Sequence, residues 1–455
     1  MNMLGFVDSE FLQTQSSMNF KIVCLCIFLL AVLHTLFANF FTKWSEKIAE
    51  KAPLQKIEKR RKISITFFSE ILRFLGEVEV VFGLWVIPLL FTIICFYSWS
   101  SAVDYLSKRV YIEPMLVVVI MSLTATKPIL VLSENGLRFI TKILGGSSAA
   151  WWLSILIAGP ILGSFITEAG AMTLCALLLG KHFYVHEPSK KLAYGTLGLL
   201  FSNISVGGLL TNFSAPPVLI VQRIWDWSSW FMFTHFGIKA IVGIICSTLC
   251  YFFFFRKELI SIDKKNLAMS EEKEGDKIPF WVTAVHVTFL VWVILNSYYP
   301  PIFIGSFLMF LGFHQATLPH QFPVQLKRPL LVGLFLAGLL IHGGLQAWWI
   351  QSILGGLGNN EMMLISMALT AFNDNTAIAY LATLLPDLTT SLKYAVMSGV
   401  VVGGGLTVIA NVPNPAGQVI LKKFFQDKIS PLYLLLAASI PTGIFYAIFA
   451  IFAEW

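Results

Sequence analysis

Two acidic residues stand where an acid is costly. In FNDNTAIAYLATLLP, Phe372 to Pro386, Asp374 lies between Asn373 and Asn375 in a stretch that is otherwise mostly Ala, Leu, Ile and Thr. In SFITEAGAMTLCALLL, Ser164 to Leu179, Glu168 follows Thr167 with apolar sequence on both sides. Desolvation favours a protonated carboxyl and a bound cation favours the ionised one, so one buried carboxylate can hold either a proton or a metal ion. That competition is sufficient to exchange one for the other. Hard oxygen ligands suit Na⁺ or Li⁺ better than a soft metal. Placing an ionisable side chain at membrane depth costs about 2.5 to 3.5 kcal/mol even on the lenient insertion scale, which argues against a purely structural role for either acid. Asp374 is the expected exchange site, with Asn373 and Asn375 orienting it or sharing the cation.

Further oxygen donors sit beside two Gly- and Pro-rich interruptions of apolar sequence. Thr376 follows the second acid, GGLLTNFSAPP contains Asn212 and Ser214, and GGGLTVIANVPNPAG contains Asn411 and Asn414. A helix broken inside hydrocarbon needs protein or water to receive its freed backbone groups, so such breaks mark buried polar sites. Gly207, Gly208 and Pro216 form one break and Gly404, Gly405 and Pro413 the other, the glycines supplying backbone conformations that a Cβ would oppose. An Asn or Ser at these places serves an interhelical hydrogen bond as readily as an ion contact. His342 is a secondary candidate, for proton relay, although a lone His on a packed helix is more often a hydrogen-bonded core residue. For Lys127, snorkelling toward the interface is a simpler account than an ion pair with Glu168. Lys239 has no evident partner.

What must position these residues is a membrane bundle. A chain of 455 residues that is 56% hydrophobic and 13% charged, with 39 Phe and 13 Trp, has no soluble fold of that length open to it. Apolar runs of roughly 20 residues, each able to cross a bilayer, recur from Phe20 to the C-terminus. The net charge of +7 sits in loops between those runs, which the positive-inside rule explains, so it reports topology and no nucleic acid. The six cysteines lie in apolar segments without zinc or redox spacing. No metalloprotease or hydrolase motif is present, so neither an enzyme nor a cofactor is expected.

The expected fold is all-α and polytopic, in two inverted-topology repeats that each contain a re-entrant hairpin and a Pro/Gly-broken transmembrane helix. Residues 1–77 would hold a first transmembrane helix, Ile22 to Phe41, whose flank lacks the basic start of a cleaved signal peptide. A basic cytoplasmic amphipathic segment follows, Lys43 to Arg73. Residues 78–255 form the first repeat, 256–278 a cytoplasmic hinge, and 279–455 the second repeat with its leading helix. Pro114 to Leu132 and Leu330 to Ile350 each read as one crossing, and both termini fall outside.

The repeat is legible in the sequence itself. AAWWLSIL matches QAWWIQSIL, with Trp151 and Trp348 197 residues apart, and the same offset relates Gly207 and Gly208 to Gly404 and Gly405 and Pro216 to Pro413. Between these anchors the acidic segments align at 206, pairing Glu168 with Asp374.

TEAGAMTLCALLL, NDNTAIAYLATLLP and ANVPNPAG together resemble the Na⁺/H⁺ antiporter family of the ion transporter superfamily, which also contains arsenite permeases and divalent-anion/sodium symporters. The likeness runs from about Val78 to the C-terminus. It implies a secondary active transporter of a bacterial inner membrane, often dimeric, with scaffold and transport domains that move in an elevator-like step. The symporter branch carries Ser-Asn-Thr at its hairpin tips, whereas this chain has Thr167-Glu168 and Asn373-Asp374-Asn375, and two buried acids would repel a dicarboxylate. Na⁺(Li⁺)/H⁺ exchange is therefore the leading expectation, with a Na⁺- or H⁺-coupled anion or metalloid permease as the alternative.

Overall fold

The computed structural model describes residues 7–50, 59–266, 278–354, 356–386, 388–426 and 428–453. Among them every regular element is a helix. Six helices are long and apolar enough to cross a membrane, or seven if one bent pair counts as a span. Parts of the two basic segments, residues 51–58 and 267–277, lie outside the described residues.

The chain divides into two compact units. The first comprises Met1–Pro114, Leu330–Gly355 and Leu384–Pro386. Its helix Met18–Glu50 runs on past the apolar stretch, and Lys59–Leu75 folds back along it. Ser45 Oγ donates to Ser69 O (2.7 Å) across the pair. His34 links this pair to Val78–Phe96, its Nδ1 accepting from Trp85 Nε1 (3.0 Å) while Nε2 lies 2.9 Å from Leu75 O. The run expected to cross from Leu330 to Ile350 is instead Lys327–Gly343 followed by a separate helix, Ala347–Leu354. Gly344, between the two helices, allows a close approach: a Cβ there would stand 2.7 Å from the Tyr105 hydroxyl.

The second unit holds the acidic segments. Its first departure from expectation is the run Pro114 to Leu132, which is two helices, Ile112–Thr124 and Lys127–Ile143, bent by 65°. Pro128 sits in the first turn of the second helix and Thr126 caps it in extended backbone. Proline is tolerated in a first helical turn, where its missing N–H would have no partner within the helix, so the second helix starts there and the corner lies just before it. The remainder repeats one order of elements. Ser148–Ile166 meets Glu168–His182 at a turn, then comes a helix broken between Lys190–Gly207 and Pro216–Gln222, then the long Ile238–Asn266. Asn359–Phe372 likewise meets Asn375–Ala382, followed by a helix broken between Thr390–Gly403 and Asn414–Leu421, then Pro431–Ile451. Ile238–Asn266 carries helix well into the segment read as a hinge.

The two series interlock. Glu168–His182 packs against Asn414–Leu421, and Asn375–Ala382 against Pro216–Gln222, so each turn leans on the far half of the other series' broken helix.

The glycines at the breaks are required for a reason other than the expected one. Gly207, Gly208 and Gly404 have ordinary right-handed helical angles, and Gly405 has no positive φ. What they allow is close approach: a Cβ on Gly405 would stand 2.4 Å from Ser202 Cα, and one on Gly404 2.2 Å from Ser205 Oγ. The two broken helices touch there backbone to backbone. Gly405→Ala should therefore cost about 1–3 kcal/mol through overpacking, read as a lower unfolding temperature of the purified protein. An unchanged temperature would show that the helices can separate without penalty.

Candidate ion-binding site

Thr167 makes the first turn. It has φ 64° and ψ 153°, a left-handed setting that a β-branched residue reaches only at a cost of about 1–3 kcal/mol. The turn sets Glu168 at the start of its helix, 1% exposed, with its N–H aimed at Ser214 O (3.5 Å) in the first break. Glu168 Oε2 accepts from Asn411 Nδ2 (3.0 Å), a contact made across the two series. Glu168 Oε1 is buried and, among the described residues, has no hydrogen-bond donor. It lies against Gly208, where a Cβ would stand 2.8 Å from it.

The second turn is built alike but filled differently. Asp374 caps Asn375–Ala382, its Oδ1 accepting from Thr376 N (2.8 Å) and its own N–H donating to Asn373 Oδ1 (2.9 Å). The next residue, Asn375, donates its N–H to Ala410 O (3.0 Å) in the second break. Its side chain lies against Gly404, a Cβ there standing 3.0 Å from Asn375 Nδ2. Glu168 and Asn375 thus occupy matching places, one bonded to Ser214 and lying on Gly208, the other bonded to Ala410 and lying on Gly404. Thr211 Oγ1 donates to Ser164 O (2.8 Å) and Thr407 Oγ1 to Ala371 O (2.9 Å), which tie each break to its turn in the same register. That register is 196 residues in the breaks and 207 in the turns, one off each sequence alignment. The sequence pairs Glu168 with Asp374, and the backbone pairs it with Asn375.

The other candidates divide. Asn411 Oδ1 and Asn414 Oδ1 are buried acceptors without donors, like Glu168 Oε1, while Asn414 Nδ2 holds Gly404 O and Thr407 O (both 2.8 Å). Thr376 Oγ1 donates to Asn375 Oδ1 (3.3 Å) and Ser214 Oγ to Gly208 O (2.6 Å). Asn212 is turned away from the acids, its amide clasped between Trp227 O (2.9 Å) and Ser229 Oγ (2.7 Å). Asp374 is close enough for its charge to bear on Glu168. Beside Glu168 is a cavity of about 10 Å³, lined also by Thr167, Ser214, Ile120 and Pro413. That is room for one water-sized occupant.

Lys127 places its Nζ 4.8 Å from the Phe322 ring centroid, in a separate cavity of about 330 Å³ that includes Glu134. Lys239 has its partner in Tyr394, whose hydroxyl it meets at 3.1 Å. His342 belongs to the first unit, buried between the rings of Phe28 and Phe82. Sequence reasoning missed Thr124, whose hydroxyl lies 3.5 Å from that of Thr167. The only signal for it was Pro128, which places the corner of SLTATKP against the turn.

The sequence matches, over residues 19–452, the model of a family described as "Putative Na+/H+ antiporter". No curated protein matches it. Among solved structures, the YdaH transporter of Alcanivorax borkumensis is similar over 92% of this chain and 96% of its own, at 11% identity and a TM-score of 0.43.

Proposed function

Since this chain belongs to that Na⁺/H⁺ antiporter family and is a multi-pass membrane protein, we propose that it exchanges Na⁺, or Li⁺, for H⁺ at Glu168. The observation that carries this is the buried Glu168 Oε1, which has no donor among the described residues, on a side chain that lines a cavity of single-occupant size. An unpaired buried carboxylate oxygen is expensive. A proton on the carboxyl or a cation beside it each removes that cost, and the two cannot be present together. Asn411 holds the other oxygen, so the carboxylate keeps one orientation in both states. Asp374 adds negative charge without direct exchange, with Asn373, Asn375 and Thr376 fixing its turn. Hard oxygens on Asn411 and Asn414 complete a donor set suited to Na⁺.

In proteoliposomes assayed from about pH 9 down to about pH 6, Na⁺-driven proton flux should show an apparent Na⁺ affinity that weakens as the pH falls, because a proton then competes for the carboxylate. Affinity independent of pH, or flux driven by oxyanions or dicarboxylates and not by Na⁺, would end this reading.

The repeated order of elements supports a pair of repeats in residues 78–255 and 279–455; their inversion in a bacterial inner membrane, with both basic segments cytoplasmic and both termini outside, rests on the charge pattern of the sequence. Single cysteines placed at Lys47 and Lys257 in a Cys-depleted variant should resist a membrane-impermeant thiol reagent added outside intact cells. Outside labelling at either place would reverse the topology.

A further inference from the structure

One cleft in the second unit takes no part in the site above. It has a volume of about 530 Å³ and lies between the start of Lys190–Gly207, the far end of Ile238–Asn266 and the start of Pro431–Ile451. All three belong to segments long and apolar enough to cross a membrane, so the cleft runs along the bundle at its lipid-facing surface. Phe254 (79% exposed), Leu436 (58%) and Ile440 (55%) form apolar walls. Lys190 and Lys191 stand at one end, both exposed. Among the described residues neither forms an ion pair. Lys190 Nζ rests 4.2 Å from the Tyr433 ring centroid, and Glu258, the nearby acid, is turned onto Ser189 N (2.7 Å) and Oγ (2.9 Å).

We propose that this cleft binds an anionic phospholipid, its phosphate against Lys190 and Lys191 and an acyl chain along Phe254, Leu436 and Ile440. Two ammonium groups that form no ion pair among the described residues call for a negative head, and basic pockets between membrane helices bind such head groups. Apolar walls continuous with the bilayer call for a tail, and a volume of this size holds a substantial part of one. An inorganic anion would satisfy the lysines and leave the walls uncovered. The helix that begins at Lys190 ends at Gly207, one residue before the glycine that supports Glu168. An occupant would thus bear directly on an element that carries the ion site.

Native mass spectrometry of protein equilibrated with phosphatidylglycerol and phosphatidylcholine of identical acyl chains tests this. Wild type should retain phosphatidylglycerol in preference by roughly tenfold, as two lysines near a phosphate imply. The preference should vanish in Lys190→Gln/Lys191→Gln and persist in Lys190→Arg/Lys191→Arg. Leu436→Trp, which fills the cleft from an exposed wall, should reduce retention of bound lipid while the protein stays monodisperse. Equal retention of both lipids by wild type, or a preference that survives the glutamine pair, overturns the proposal. So does displacement of phosphatidylglycerol by inorganic phosphate alone at comparable concentration, which would mark a headgroup-only anion site.

Discussion

Glu168→Gln should abolish Na⁺-driven proton flux at every pH while leaving an inserted, stable protein. The amide keeps the size of the carboxyl and can still accept the Asn411 Nδ2 hydrogen bond through its own oxygen. What it loses is the titrating group and the charge that a cation needs. Its NH₂ would take the place of the donor-free Oε1, so the substitution removes the unmet buried charge permanently, as a proton would transiently. Stability should accordingly rise or hold, by up to the 1–3 kcal/mol that an unmet buried acceptor costs, and a higher unfolding temperature with no exchange is the expected pair of results. Na⁺ should no longer protect the variant against thermal unfolding, whereas it should protect wild type. Exchange at more than about one-tenth of the wild-type rate, a loss of under about 1.4 kcal/mol in barrier terms, would remove Glu168 from the exchange step.

How much of this could be read from the chain depends on the kind of signal. Gly-Gly followed by Pro in apolar runs announced both breaks correctly, because backbone in hydrocarbon has few alternatives to helix. The turns at Thr167 and Asp374 were legible because a carboxylate in such a run has little other reason to be there. Register was not. The Gly-Gly pairs align at 197 in sequence, yet the run Gly403 to Gly405 and the pair Pro216-Pro217 admit 196 equally well, and the contacts of Glu168 with Gly208 and of Asn375 with Gly404 select 196. The contact between Glu168 and Asn411 joins residues 243 apart and has no local trace. Asn212 looked equivalent to the other amides, and only Ser229 and the Trp227 carbonyl, further along the chain, divert it. The break inside each of the two runs read as one crossing was not legible, because hydropathy averages over an interruption of the helix.

Asp374→Asn separates three roles for the second acid. The asparagine oxygen can still accept from Thr376 N, so the cap of Asn375–Ala382 survives and insertion and stability should be near wild type, since Asn and Asp cap helices about equally well. The negative charge that bears on Glu168 disappears. Like charges disfavour one another's ionised forms, so a proton should compete less well at the remaining acid and the pH dependence of Na⁺ affinity should move toward acid. At high pH, where Glu168 is ionised in both proteins, affinity for Na⁺ should fall because the site carries one charge fewer. Opposite changes at the two ends of the pH range are the mark of a field-setting residue. A variant that behaves as wild type at both ends would leave Asp374 as a helix cap alone. One that fails at every pH, beside a Glu168→Gln that still exchanges, would make Asp374 the group that trades the proton for the ion.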